Sequence, residues 1–266
     1  MCRHNSIQCV VPPYIMDRLA QSSDPRLRSR AIAQMQTAAR MRALREAAQA
    51  LPTLMAVTSP TKKKTRQVFD AKGSDHLPGT LVRSEGQAKV ADVAVNEAYD
   101  GAGDTYDFYS QIFQRNSLDD KGMTLISSVH VGEVDDQGKL GPMDNAFWNG
   151  EQMAYGDGDK VVFTRFTKSL DVIGHELTHG VQSFTSNLTY RAQSGALNEH
   201  FADVFGILIR QWKKGENNAV KANWVLGADI MVPAPTRRGI RDMENPGTAF
   251  VLCCQIRCTR VEVTPT

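Results

Sequence analysis

Three changes of rhythm divide the chain. Over residues 26–51 the apolar positions recur with a helical period, Leu27, Ala31, Met35 and Ala38 marking one thin stripe that Arg42 continues. The run is rich in Ala, Arg, Gln, Met and Leu, all good helix formers. Asp24 suits an N-cap, Pro25 suits the first turn, and Leu51-Pro52 stops the helix. Its arginines read as a solvated face rather than a nucleic-acid surface. Ahead of it, residues 11–16 (VPPYIM) predict an extended stretch stiffened by two prolines. Behind it, residues 58–66 (TSPTKKKTR) predict an exposed linker, either a cleavage region or a solvated connector.

From residue 67 to about 168 the rhythm shortens. Strand-like pieces at 67–69, 124–130 and 161–166 lie between turns rich in Gly, Asp and Asn. Two helices interrupt them, over 89–99 and 105–113. From Ser169 the pattern is helical again: Ser169 is a candidate cap for a helix over 170–183, and a second helix spans about 195–213. The fold class predicted is α+β. Residues 1–60 form an appendage and linker, 61–168 a β-rich lobe, 169–250 the start of an α-helical lobe, and 251–266 a tail of different character.

Composition changes little in this picture. The 266 residues carry a net charge of +2, with 41% hydrophobic and 23% charged residues, ordinary for a globular protein and no argument for a nucleic-acid partner. No apolar run reaches the roughly 18 residues of a membrane span. Residues 1–11 lack the basic-then-apolar order of a secretory signal, and Pro12-Pro13 would interrupt any apolar core beyond them. Cys2 and Cys9 sit at one end, Cys253, Cys254 and Cys258 at the other, so the core is not a disulfide framework.

The chemistry gathers at the junction of the two lobes. Residues 175–179 read HELTH. On a helix, positions i and i+4 share a face, so His175 and His179 can reach one ion, with Glu176 beside them to take a proton from water. A third ligand is offered by GALNEHFAD, where Glu199 and Asp203 again stand four apart. Glu199 can bind the metal, and Asp203 can accept the outer N–H of a ligand histidine. Imidazole and carboxylate ligands suit Zn2+ with one open position. His200 points about 100° away around the same helix. His130 reads as satisfying a structural hydrogen bond near the cleft, and His4 and His76 as exposed.

HELTH together with GALNEHFAD resembles the thermolysin family of zinc metalloendopeptidases. So do DNAFWNG at 144–150, YGDGD at 155–159, and Arg241-Asp242-Met243 with Asn245-Pro246-Gly247. The resemblance runs from about residue 67 to Phe250. The opening MCRHNS and PPYIM are similar to the short propeptide of the protealysin-like branch. The resemblance implies a thermolysin-like fold with the zinc site between its lobes. It implies that His175, His179 and Glu199 hold zinc, Glu176 is the base, and Asp203 orients a ligand histidine. Tyr190 would then bind the oxyanion, Asn145 and Ala146 the substrate backbone, and Arg241 a carbonyl on the leaving-group side. The family cleaves internal peptide bonds, usually before bulky apolar residues, and acts outside the cell. Peptides or proteins would be its substrates, and the chain's own propeptide its inhibitor.

Three departures carry expectations of their own. The family uses a further histidine downstream of the arginine matched by Arg241, whereas the last of this chain's six histidines is His200. The resemblance also stops at about Phe250, ahead of a tail with three cysteines in six residues. A truncated or frameshifted frame is therefore expected over a real divergent tail, with little caseinolytic activity. A zinc-binding chain without turnover is the reading that competes with an active endopeptidase. A metal-dependent hydrolase of another substrate stands further off. Of the family's paired calcium site only Asp171 matches a carboxylate; Arg210, Asn223, Val225 and Ala228 hold the other positions, so that site is expected to be lost. Cys2 or Cys9 could occupy the zinc as a latency switch, or the PPYIM segment could lie in the cleft as a substrate mimic.

Overall fold

The computed structural model describes residues 10–50, 63–135 and 138–250. All five cysteines, and with them the thiol switch and the divergent tail, lie outside the described residues.

The chain opens on two helices, α1 (Pro13–Ala20) and α2 (Pro25–Ala50). The expected extended run therefore ends at Pro12, which is extended at φ −72° and ψ 150° and caps α1. Pro13 takes the first helical position, where a fixed φ and a missing N–H cost nothing, so the proline pair starts a helix instead of preventing one. The Asp24 carboxylate accepts from the Arg26 amide at 2.8 Å, as a cap for α2 should. Val10, Val11, Ile15, Met16, Leu19 and Ala31 are buried in the main hydrophobic core, so this appendage packs on the body of the protein.

The body begins with a mixed sheet of six strands: β1 (Arg66–Asp70), β2 (Thr80–Ser84), β3 (Leu125–Val134), β4 (Leu140–Pro142), β5 (Ala146–Trp148) and β6 (Met153–Gly156). Their order is β2-β1-β3-β6-β5, with β4 beside β3. β3 is parallel to both β1 and β6; the β1–β2 and β5–β6 pairs are antiparallel.

One helix, α3 (Val93–Phe113), crosses between β2 and β3 where two were expected. Gly101 and Gly103 look like a break in sequence but mark close packing. A Cβ on Gly101 would stand 2.4 Å from Ile173, and one on Gly103 would stand 2.2 Å from the Arg66 guanidinium. Asp92 caps this helix through the amides of Ala94 and Val95.

The strand expected over 161–166 does not form. The Asp159 carboxylate accepts the amides of Val161, Val162 and Phe163 at 2.9, 2.7 and 3.0 Å, which bends the backbone into a turn. A single bridge from Phe163 to Met231 and a short 3-10 turn at Phe166–Lys168 remain.

Two helices complete the body: α4 (Leu170–Ser183), over the predicted residues, and α5 (Ala192–Lys214), starting three residues early. Ser169 stands at the head of α4, but its hydroxyl bonds the Asp171 carboxylate at 2.5 Å instead of a helix amide. α4 is buried on every side from Asp171 to Gln182. It packs on α5 almost backbone to backbone, since a Cβ on Gly206 would stand 2.4 Å from the Asp171 carbonyl oxygen. A short antiparallel pair, β7 (Val225–Leu226) and β8 (Arg241–Asp242), lies beyond α5.

Arg210 fastens these pieces together. From α5 its buried guanidinium meets the Asp171 carboxylate of α4, the Asn223 carbonyl, and the Val225 carbonyl at 2.8 Å. The Gly227 amide donates to the same carboxylate at 3.2 Å.

Candidate metal centre and substrate cleft

A helix buried on all faces has no solvent side on which to place polar residues. His175, Glu176 and His179 of α4 are all fully buried, so their neighbours must satisfy them. The Nε2 atoms of His175 and His179 face each other at 3.1 Å. Their outer nitrogens meet acceptors on α5. His179 Nδ1 lies 2.8 Å from Asn198 Oδ1, and His175 Nδ1 lies 2.9 Å from Asp203 Oδ1, though imperfectly aligned. Glu199 sits between them, one oxygen 3.5 Å from each inner nitrogen and neither with a hydrogen-bond partner.

The donor set fits a divalent cation. With each outer nitrogen spent as a donor, the neutral rings turn their lone pairs inward at one another. Two lone pairs and an orphaned buried carboxylate then surround one point, which is repulsive unless a positive charge stands there. Two nitrogens bound tetrahedrally to zinc would be about 3.3 Å apart, given bonds of about 2.05 Å. The 3.1 Å separation is close to that.

Glu176 stands close enough to His175 and His179 for the three to hold one metal ion, but both its oxygens are taken by backbone amides. Its Oε2 accepts the Trp148 amide of β5 at 2.8 Å, and its Oε1 accepts the Val10 amide at 3.1 Å. Arg241 of β8 grips Asp203 with two bonds of 2.6 Å and donates to the Val10 carbonyl at 2.8 Å. Burial alone would raise the Asp203 carboxyl, but Arg241 and His175 hold it well below the usual range. Val10 is thus gripped at both amide and carbonyl by groups facing the centre.

Asn145 and Ala146 stand at the start of the strand that carries Trp148, and Tyr190 lies just ahead of α5. Asn145 leads into β5, with its Oδ1 on the Ala146 amide at 2.9 Å and its side-chain nitrogen buried without a partner. Ala146 is wholly buried on β5, two residues before Trp148. Tyr190 is buried with its ring 5.8 Å from that of His179. Sequence reasoning assigns an outer partner to one histidine only and misses Asn198. Two ligand histidines need two such partners, and that requirement was the signal for it. It also misses the Trp148 amide, which no side-chain pattern can reveal.

His130 makes the structural contact expected of it, and a stronger one. Nδ1 lies 2.8 Å from Asp157 and Nε2 2.8 Å from Asp92. The Asp157 bond, aided by Asp92 against partial burial, pushes the imidazole up to about 9. A raised histidine contributes stability fully below its unfolded value near 6.5 and loses it as pH rises through about 9. The melting temperature should therefore fall between pH 7 and 10, and fall less in His130→Gln. Parallel profiles for the two proteins would contradict this.

The comparisons with known proteins agree with that geometry. The thermolysin metallopeptidase catalytic-domain model matches residues 43–183, and the alpha-helical-domain model of the same family matches 186–263. The chain belongs to the thermolysin metallopeptidase family. An extracellular metalloprotease of Pectobacterium carotovorum subsp. carotovorum is 42% identical over 241 residues, covering 91% of this chain and 66% of that protein. Protease PrtS of Photorhabdus sp. (strain Az29) is 50% identical over 185 residues, covering 70% of this chain and 47% of that one. This chain thus spans between about half and two thirds of the length of these curated relatives. Among solved structures, the precursor of protealysin, a metalloproteinase from Serratia proteamaculans, superposes with a TM-score of 0.77 at 40% identity. That match covers 92% of this chain and 67% of the other. The α+β, thermolysin-like architecture is therefore that of the family, and among the described residues no helix is long and apolar enough to cross a membrane.

Proposed function

We propose that this thermolysin-family chain is a zinc metalloendopeptidase precursor whose N-terminal segment occupies its own cleft. His175, His179 and Glu199 would hold the zinc. The observation that carries this is the pair of inward-facing imidazole nitrogens beside an orphaned, buried carboxylate. A bound zinc ion supplies a Lewis acid, polarising a carbonyl and acidifying water.

The protein's own groups supply the rest. Glu176 takes the proton from the attacking water and returns it to the departing amine. In support, its Oε1 already accepts a peptide N–H, that of Val10. Arg241 holds the carbonyl of the residue after the scissile bond, as it holds that of Val10. Tyr190 stabilises the oxyanion, Asn145 and Ala146 hold the substrate backbone, and Asp203 fixes the tautomer of His175. The residue gripped here is apolar and wholly buried, which favours cleavage before apolar side chains. A peptide so held at amide and carbonyl lies as a substrate would, so residues 10–20 act as the chain's own inhibitor. The Pectobacterium relative, an extracellular metalloprotease, supports secretion as the setting.

The paired calcium site is replaced in this reading. Three of its matched positions, Asp171, Asn223 and Val225, meet at a fourth, the Arg210 guanidinium, which puts one fixed positive charge among their oxygens.

The test is metal content together with cleavage. Purified protein should carry about one zinc per chain and, once the N-terminal segment is removed, cleave a generic apolar peptide, lose cleavage to a chelator and regain it with zinc. Zinc bound without cleavage after that removal would leave only the non-catalytic reading, and no zinc would overturn both.

A further inference from the structure

Helix α2 covers two carboxylates that no role in peptide hydrolysis uses. Glu133 lies on β3, and Asp144 stands just before Asn145 and β5. Each residue is only 5% exposed. Both oxygens of Glu133 and one of Asp144 lack a partner of ordinary hydrogen-bond geometry. Above them, the Gln34 amide of α2 is 1% exposed with neither its oxygen nor its nitrogen partnered. The nearest cation is Arg30 of α2, whose guanidinium is 3.8 Å from Asp144.

Such an interface is costly when both acids are ionised, because the guanidinium groups near it do not replace the water that α2 excludes. The charged groups around the pair are few. Arg30 and Arg40 on α2 face Glu133, with the Thr37 hydroxyl and the Asp144 backbone beside it. Arg30, Asp159 and Glu133 face Asp144. We infer that α2 is a proton-dependent latch, docking on Glu133 and Asp144 when they are protonated and loosening as they ionise.

The direction comes from linkage. Burial pushes Glu133 up to about 7, against the Thr37, Arg30 and Arg40 contributions, and burial with Asp159 and Glu133 raises Asp144 well above the usual range. Once α2 lifts, both carboxyls meet water and return to ordinary values. The docked form therefore holds protons that the lifted form releases, so docking is strongest in acid. It weakens as pH rises from the ordinary carboxylate range through about 7. A precursor of this kind is held shut in an acidic compartment and released toward neutral pH. The device acts on the inhibitory segment proposed above, but its evidence is the buried interface alone.

Amide hydrogen exchange in the full chain tests it without needing zinc or cleavage. After correction for intrinsic rates, opening of residues 31–37 should rise on the order of tenfold or more between pH 5 and 7.5, since each group contributes up to tenfold per pH unit. Glu133→Gln combined with Asp144→Asn should flatten that rise and keep α2 protected at neutral pH. Arg30→Gln removes the cation that favours the anions, so the rise should begin at the same pH but continue to a higher one; a role limited to packing would loosen α2 equally at all pH values. A flat wild-type profile overturns the latch, and so does an unchanged slope in the double variant.

Discussion

Glu176→Gln is expected to lower peptide cleavage by about 10² to 10⁴ while leaving bound zinc unchanged, the range typical of a lost general base. The carboxylate accepts two N–H groups in the structure, from Trp148 and Val10. A glutamine offers one oxygen and one NH₂, so one of those donors must face another donor. The Trp148 amide belongs to β5 and cannot move away, so the amide oxygen will turn toward it. The NH₂ then meets the Val10 amide, and the variant should also hold its N-terminal segment more weakly. Two effects of opposite sense are thus predicted: a more accessible cleft and a slower chemical step. Steady-state cleavage of a short peptide separates them, because loosening acts on apparent KM and inhibition whereas base removal acts on kcat. Cleavage within tenfold of wild type at equal zinc content would remove Glu176 from the base role.

The site is legible where its chemistry has a helical period. His175 and His179 stand four apart, Glu199 and Asp203 stand four apart, and two helices in contact can bring those faces together. What makes them meet, the close approach of α4 and α5 at Gly174 and Gly206, leaves only two glycines in the sequence. Long helices come through well for the same reason of period; short irregular pieces do not. Residues 161–166 have strand composition, yet one carboxylate, Asp159, takes three of their amides. Gly101 and Gly103 mislead as a helix break because a glycine that admits a neighbour looks the same in sequence as one that ends a helix. The proline pair misleads because proline stiffens an extended chain and begins a helix equally well. Glu133 and Asp144 give no signal, since a carboxylate buried by a distant helix looks like any other until that helix is in place.

Arg210→Ala should have the largest effect on stability. Asp171 is wholly buried, and burial raises its carboxyl although Arg210, Ser169 and the Gly227 amide oppose that. Removing the guanidinium strands that carboxylate and leaves the Asn223 and Val225 carbonyls without the donor they share. Breaking one partner of a buried pair typically costs about 3–5 kcal/mol. At roughly 2–4 °C per kcal/mol for a domain of this size, the melting temperature should fall on the order of 10 °C. Replacing both members, Asp171→Leu with Arg210→Met, should recover much of the loss, because no stranded charge remains. Calcium provides an independent reading of the same atoms. A hard dication needs about six to eight oxygens, and here a guanidinium stands among the few that converge. Millimolar calcium should therefore leave the wild-type melting temperature where it was. A large rise would mean that the ion displaces Arg210 or binds elsewhere, and the view of this arginine as the fixed cation joining α4, α5 and β7 would have to be abandoned.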